Sequence, residues 1–504
     1  MKLDGLIDDQ SAERLGFAWL EAAIAPVSAY GARAFAQLRP YRPGEERAAF
    51  ERATEIEGRA RSLSSDRVGA TLGAIAALPD IAPIVARAAI GEVLDDPDFY
   101  ELLHFCEGVQ ALDGIGNAST RAVAAALSPG QFAAGAFCLA DAFDDALNAA
   151  RSAMSDAQAE FEAVRGRERA AVAASLGRDE IAGDEFIVMR GDLHGSLPAG
   201  VRVLREAATY LSCALELGEA SLQALQRRDA AISAVADVEA RARRRLSETA
   251  RDNAVGLNAA VDVLAALDVT LAAVRYTQRY RCTVAEIAKT PALAFEAARF
   301  LPLEEQLERA SMRFVPIDLA LKGPAVITGP NMGGKTVAMQ TCGFITLAAA
   351  FGLPVPAQNA RVALFDRIAW LGVGRDEPHD GLLSSFAIEI VALKSVLDAG
   401  VRSLAVFIDE FARTTSPAEG SALTVALLER LNETNARGLA ATHLPGVAKA
   451  AQVPHFAVRD YHIVEVEGDE ASDGEAIALA QSLGMDERFI AAAHEALKGT
   501  AWIR

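Results

Sequence analysis

The sequence predicts a multidomain chain, all-α with long helical arms in its N-terminal part and α/β in its C-terminal part. Three observations predict it. Hydrophobic residues make up 51% of the 504 but aromatics only 6%, reflecting heavy use of Ala and Leu, which favour helix. Ala140 to Leu176 and Val201 to Leu271 carry apolar residues at a 3.6-residue period among many charges, the pattern of two long amphipathic arms. Further on, an apolar run, Ala325-Val326-Ile327, leads through a glycine-rich segment into an apolar stretch of helical character, Val337 to Phe351. That is a strand–loop–helix unit of an α/β domain.

In the helical part, Ser11 to Leu38 is expected to be helical up to Arg39-Pro40. Glu45 to Ser62 and Arg67 to Leu78 are amphipathic, with Leu78-Pro79-Asp80 as a stop. Ala82 to Leu112 continues the bundle, and Gly114-Ile115-Gly116-Asn117 breaks it. Between the two arms, Glu185 to Gly200 offers one strand and glycine-rich turns. The expected domains are a helical core over 1–139, arms with a small tip (about 185–200) over 140–290, and an α/β domain over 291–504.

Chemistry concentrates in Thr328 to Thr336, TGPNMGGKT, which fits the GxxxxGK[ST] pattern in its required context between strand and helix. Gly329, Gly333 and Gly334 allow a tight turn whose N–H groups point at phosphate oxygens, and the following helix adds the positive end of its dipole. Pro330, Asn331 and Met332 complete the loop. Lys335 would reach the β- and γ-phosphates of a nucleotide, and the Thr336 hydroxyl would take a place on Mg²⁺.

Leu404 to Ile408 is a continuous apolar run, as expected of a strand buried on both faces. It ends in Asp409-Glu410, where ligands gather at the carboxyl ends of strands in open α/β sheets. Asp409 is placed to hold the metal and Glu410 to polarise an attacking water. A third strand, Gly438 to Ala441, ends at Thr442-His443, from which a histidine can sense the γ-phosphate. These residues together point to ATP and Mg²⁺.

Several segments, in order, resemble the ATPase domain of the MutS family: FVPIDLAL (Phe314 to Leu321), ITGPNMGGKT, VPAQNARVALFDRI (Val355 to Ile368), SSFAIEI (Ser384 to Ile390), FIDEFARTTS (Phe407 to Ser416) and ATH (Ala441 to His443). The resemblance implies helical lever arms with a much reduced clamp tip, followed by a P-loop ATPase domain of ABC type. It implies that Phe314 stacks on adenine and that Ser384 and Ser385 complete a partner subunit's site across a homodimer or a heterodimer with a related chain. His443 matches the family's switch histidine. Ala476 to Leu497 looks like the closing helix–turn–helix that pairs two such domains. Two departures stand out: Ala412 and Thr414 flank Arg413 where the family has glycines, and Leu382-Leu383 precede the signature serines.

The remaining features bear on the partner. The net charge of −19 is unusual for a protein that grips duplex DNA by phosphate neutralisation. The best basic patch, Arg241, Arg243, Arg244 and Arg245 with Arg251, Arg227 and Arg228, is interleaved with Glu239, Glu248 and Asp252, as in a salt-bridged helix face. Asp98-Phe99-Tyr100-Glu101 reproduces the Phe-x-Glu wedge of mismatch-repair relatives, but it lies inside a core helix, so Phe99 is expected to be core and Glu101 a helix-face charge. The resemblance implies one of two functions: an ATP-switched, mismatch-repair-like clamp on duplex DNA, or a protein-remodelling ATPase that reactivates a cobalamin-dependent aminomutase. The N-terminus has no signal-peptide core, and the longest apolar stretch, Phe344 to Val355, is too short for a bilayer. A cytoplasmic protein with no membrane partner is expected. Cys106, Cys138, Cys213, Cys282 and Cys342 read as reduced core thiols.

Overall fold

The computed structural model describes residues 1–130, 136–193, 195–330, 333–372, 385–398, 400–467, 481 and 484–499. The chain forms two compact units, one of residues 1–77 with 264–504 and one of residues 78–263. The expected divisions at 139/140 and 290/291 do not coincide with these lines. The first 77 residues lie in the same unit as the glycine-rich loop because they pack on its elements. Leu15 sits under Gly343, where an added Cβ would come within 2.4 Å of it. The Ile368 amide donates to Leu6 O (2.7 Å), the Trp370 amide to Ser11 Oγ (2.9 Å) and the Tyr41 amide to Ala350 O (2.7 Å).

In the 78–263 unit, helices Asp145–Ser175 and Glu219–Asp252 are the two arms. Between them lie β1 (Glu185–Met189), β2 (Val201–Glu206) and β3 (Tyr210–Leu215), an antiparallel sheet in the order β1-β3-β2. The second arm therefore begins at Glu219 and not at Val201. Val201-Arg202-Val203 alternates with period two, and β3 alternates half-buried with buried residues, so these segments cover one face of a sheet. Phe99 is fully buried within helix Asp96–Gln110 and Glu101 is exposed on it. The Phe-x-Glu segment is thus part of the helical core.

The other unit also departs from the simplest reading. Ser11 to Leu38 is interrupted: Asp9–Arg14, Phe17–Ala23 and Ala29–Ala36 are separate helices, broken at Gly16 (φ +77°) and before Ser28, whose hydroxyl caps the third. Helix Ala254–Tyr280 is long and apolar enough to cross a membrane, which the sequence reading overlooked, but 61% of its most apolar window is buried inside the protein. That is the signature of a core helix. Fully buried Asp268 on it accepts the amides of Val27 (3.1 Å) and Ser28 (2.9 Å). All five cysteines are free, but Cys138 is exposed, so only four are core thiols.

Two sheets build the α/β part. β4 (Glu286–Ala288), β5 (Leu293–Ala298), β6 (Ile317–Leu321) and β8 (Asn359–Ala363) form one in the order β4-β8-β5-β6. The other comprises β7 (Pro324–Thr328), β9 (Arg367–Leu371), β10 (Leu404–Asp409), β11 (Ala436–Ala441), β12 (His455–Arg459) and β13 (His462–Glu465), in the order β13-β12-β7-β11-β10-β9. Its pairings are parallel except β12–β13. Leu404 to Ile408 is buried throughout, as its unbroken apolar run predicts. At Gly438 a Cβ would fall 1.6 Å from Val406 O, so the β10–β11 approach tolerates no side chain there. Of the segment expected to form the closing helix–turn–helix, Glu487–Gly499 is a helix, and most of the stretch before it lies outside the described residues.

Candidate nucleotide site

Strand order places the site. β11 lies between β7 and β10, so the segment after β11 emerges between the glycine-rich loop after β7 and the acidic pair ending β10. Gly329 and Gly334 adopt φ of +139° and +107°, conformations open to glycine, and a Cβ on Gly333 would meet Pro330 O at 2.9 Å. Lys335, the first residue of helix Lys335–Ala350, is buried. Its Nζ donates to Gly329 O (2.5 Å) and Pro330 O (3.1 Å) and stands 3.4 Å from His443 Nε2. The next residue, Thr336, is exposed and its hydroxyl donates to Asp409 Oδ2 (3.2 Å). Burial pushes the Asp409 carboxyl up, with the Thr336 hydrogen bond opposing.

Glu410 is the most tightly held member. Its Oε1 is 2.9 Å from His443 Nε2, and its Oε2 accepts from Arg413 at 2.8 Å. The hydrogen bond with His443, helped by that with Arg413, brings the carboxyl from an ordinary 4.5 down to about 2 against a desolvation cost. The backbone here is left-handed at Glu410 (φ +53°) and again at Ala412 (φ +59°), costing about 1–2 kcal/mol per non-glycine residue. Ala412 is a position where the resemblance anticipates glycine, and the left-handed φ is the physical reason glycine would suit it. Gly372, at the end of β9, adopts φ +148°; a Cβ there would meet Asp409 O at 2.7 Å.

Of the residues singled out from sequence, Gly329, Pro330, Lys335, Thr336, Asp409, Glu410 and His443 converge in one hydrogen-bonded cluster. Gly333 and Gly334 complete its loop. Phe314 stands outside that set, half-buried in the segment leading into β6. Asn331, Met332 and Ser384 lie outside the described residues, and Ser385 is the first residue of helix Ser385–Leu397. Sequence reasoning missed Glu389, a buried carboxylate on that helix that accepts the Ala412 amide at 2.8 Å. A lone acid in the apolar run Phe386 to Leu393 was the available signal. It also missed Tyr461, 61% exposed with φ +65° in the β12–β13 turn, whose ring lies 3.9 Å from a Cβ built on Gly334.

An open, mostly parallel sheet with a glycine-rich loop, a lysine and an acidic pair at its carboxyl end has the geometry to receive a phosphate group. Residues 325–488 match the MutS domain V family. The chain is similar to the endonuclease MutS2 of Fusobacterium nucleatum, 28% identical over 270 residues that cover 50% of this chain and 33% of that protein. It is 36% identical to the endonuclease MutS2 of Geobacillus kaustophilus over 188 residues, 37% of this chain and 23% of that one. The putative endonuclease MutS2 of Bacillus subtilis is 33% identical over 189 residues, again 37% and 23%. These likenesses support a MutS-family member. The chain matches a third or less of the length of these relatives.

Proposed function

We propose that this chain is a Mg²⁺-dependent ATPase whose nucleotide cycle switches a dimer acting on a macromolecular partner. The observation that carries the reading is the cluster of Lys335, Thr336, Asp409, Glu410 and His443 at the ends of β7, β10 and β11. Lys335 would exchange the carbonyls of Gly329 and Pro330 for phosphate oxygens, supported by loop amides that lie at a helix N-terminus. The Thr336 hydroxyl and the Asp409 carboxylate, already in contact, are hard oxygen donors suited to Mg²⁺. Among the described residues no three His, Cys, Asp or Glu gather as a dedicated metal site, and Mg²⁺ held with a nucleotide uses one or two carboxylates plus phosphates and water. When bound, the ion neutralises charge on the β- and γ-phosphates.

Glu410 would orient and polarise the water, and His443, between Lys335 and Glu410, would report the γ-phosphate to it. Phe314 is proposed to receive the adenine. Ser384 and Ser385 would complete the site of a partner copy, and Glu487–Gly499 would help to pair the two. As macromolecular partner we favour duplex DNA, from the MutS family and the relatives' names; the endonuclease activity in those names belongs to those proteins. We place the protein in the cytoplasm.

The deciding experiment is Glu410→Gln in the full chain. It should bind ATP as the parent does while hydrolysis falls roughly 10²–10⁴-fold, the range for losing a residue that works on the attacking water. Turnover by the variant at the parent rate would remove Glu410 from this role.

A further inference from the structure

Helix Ser385–Leu397 reaches into the catalytic loop through one side chain. Glu389, one turn after the helix begins, is 7% exposed, and its Oε2 accepts the amide of Ala412 at 2.8 Å. Ala412 is itself buried, with φ +59°, and Glu410 two residues before it has φ +53°. Left-handed backbone at two non-glycine residues persists only where the surroundings hold it. The loop and its neighbours supply part of that hold. The Glu410 amide donates to Ala441 O (3.0 Å), Arg413 to Glu410 O (3.3 Å) and Thr415 to Ala412 O (3.2 Å). Gly420 leaves room beneath, since a Cβ there would lie 3.1 Å from Ala412 O. The helix Ser385–Leu397 adds Glu389 from the other side. Without that carboxylate the Ala412 amide would be a buried donor lacking an acceptor.

We propose that Glu389 is a positioning residue: it fixes the backbone that carries Glu410 and ties that backbone to the N-terminal end of helix Ser385–Leu397. Displacement of the helix along its axis is then felt at Glu410 through a single rigid hydrogen bond. This rests on the reading of Glu410 as the water-orienting acid. It goes further, in naming the lever by which events at the start of that helix would set hydrolysis.

The test compares Glu389→Gln, Glu389→Asp and Glu389→Ala in the full chain, with Glu410→Gln alongside. Glu389→Gln keeps an acceptor at the same reach and should retain most of the parent kcat. Glu389→Asp keeps the charge but is one methylene short, and with Glu389→Ala it should lose about 10²-fold in kcat while KM for ATP moves little, the pattern of a misplaced catalytic group. Amide exchange across 410–415 should be faster in Glu389→Asp than in Glu389→Gln. Equal kcat in Glu389→Asp and the parent, or a loss confined to KM, would overturn the proposal. If Glu410→Gln hydrolyses ATP like the parent, the water-orienting reading has failed. The exchange comparison then still decides the positioning: equal exchange in the Asp and Gln variants overturns it, and faster exchange in Asp upholds it.

Discussion

Glu410 is gripped by His443 on one oxygen and Arg413 on the other, and that grip has two consequences. A carboxyl held near 2 is a poor proton acceptor at neutral pH, so in the proposed reaction Glu410 would orient water and would have to shed a partner before it could take a proton. Arg413, 60% exposed in its side chain, is the freer of the two to leave. The second consequence is for stability. The folded-state pKa lies below the ordinary 4.5, so the folded state favours the carboxylate. Glu410 therefore contributes stability in full above about pH 4.5 and loses it as pH falls toward about 2. Thermal unfolding of parent and Glu410→Gln across that window should show the gap between them change with this sign. A gap independent of pH there would mean that the grip is absent in solution.

At the scale of elements, the tip depends on one buried cation. Arg165 is 2% exposed and donates to Glu168 (2.7 Å), to Asp184 (3.2 Å from Nε), and to the carbonyls of Leu215 (3.2 Å) and Glu216 (2.9 Å). It thereby joins helix Asp145–Ser175 to the segment before β1 and to the end of β3, while Ser221 on the returning arm donates to the same Glu168. Removing one partner from a buried network costs more than the network is worth, because the others are left uncompensated. Arg165→Met should destabilise the tip by about 3–5 kcal/mol, less whatever the partly exposed carboxylates recover from water. Amide exchange in 185–215 should rise by orders of magnitude while exchange in the unit of residues 1–77 and 264–504 stays at the parent level. Unchanged protection of β1–β3 would show that the hydrophobic face, with Val188, Leu211 and Cys213 buried, is sufficient alone.

At the scale of the molecule, the arginines on the second arm are mostly spoken for. Arg243 makes a two-point contact with Asp96 (2.8 and 3.1 Å), Arg245 pairs with Asp144 (2.9 Å) and Arg227 with Glu160 (2.7 Å). At the tip Arg190 pairs with Glu206 (2.8 Å). Arg244 is exposed and makes no ion pair among the described residues. If duplex DNA is held along this arm, Arg244→Ala should lower the log–log salt slope of binding by about 0.9, while Arg245→Ala should change it less. A slope unaffected by Arg244→Ala would move the contact elsewhere. The composite site is tested separately. ATP should drive the chain toward a dimer in sedimentation, and mixing Lys335→Ala with Ser385→Ala chains should alter turnover in proportion to mixed dimers. A monomer fully active at saturating ATP would end that reading.

How much of this could be read from residues alone depends on the range of the forces involved. The glycine-rich loop, the buried strand Leu404–Ile408, the acidic pair and the arms are local: a turn needing positive φ, a run buried on both faces and a 3.6-residue period each leave their pattern in neighbouring residues. The tip strands were legible in part: one strand is expected within Glu185 to Gly200, where β1 lies, whereas the helical pattern of the second arm extends over Val201 to Leu215 and hides β2 and β3. Only tertiary structure decided the relations between residues far apart in the chain. Residues 1–77 join the unit that holds the glycine-rich loop through contacts between residues far apart in the chain, such as Ser11 with Trp370, 359 positions apart. His443 reaches both Lys335 and Glu410 because β11 inserts between β7 and β10. Glu389 finds the Ala412 amide across 23 residues. Local propensity is written in each segment, but strand order and the satisfaction of buried polar groups are settled only when the whole chain packs.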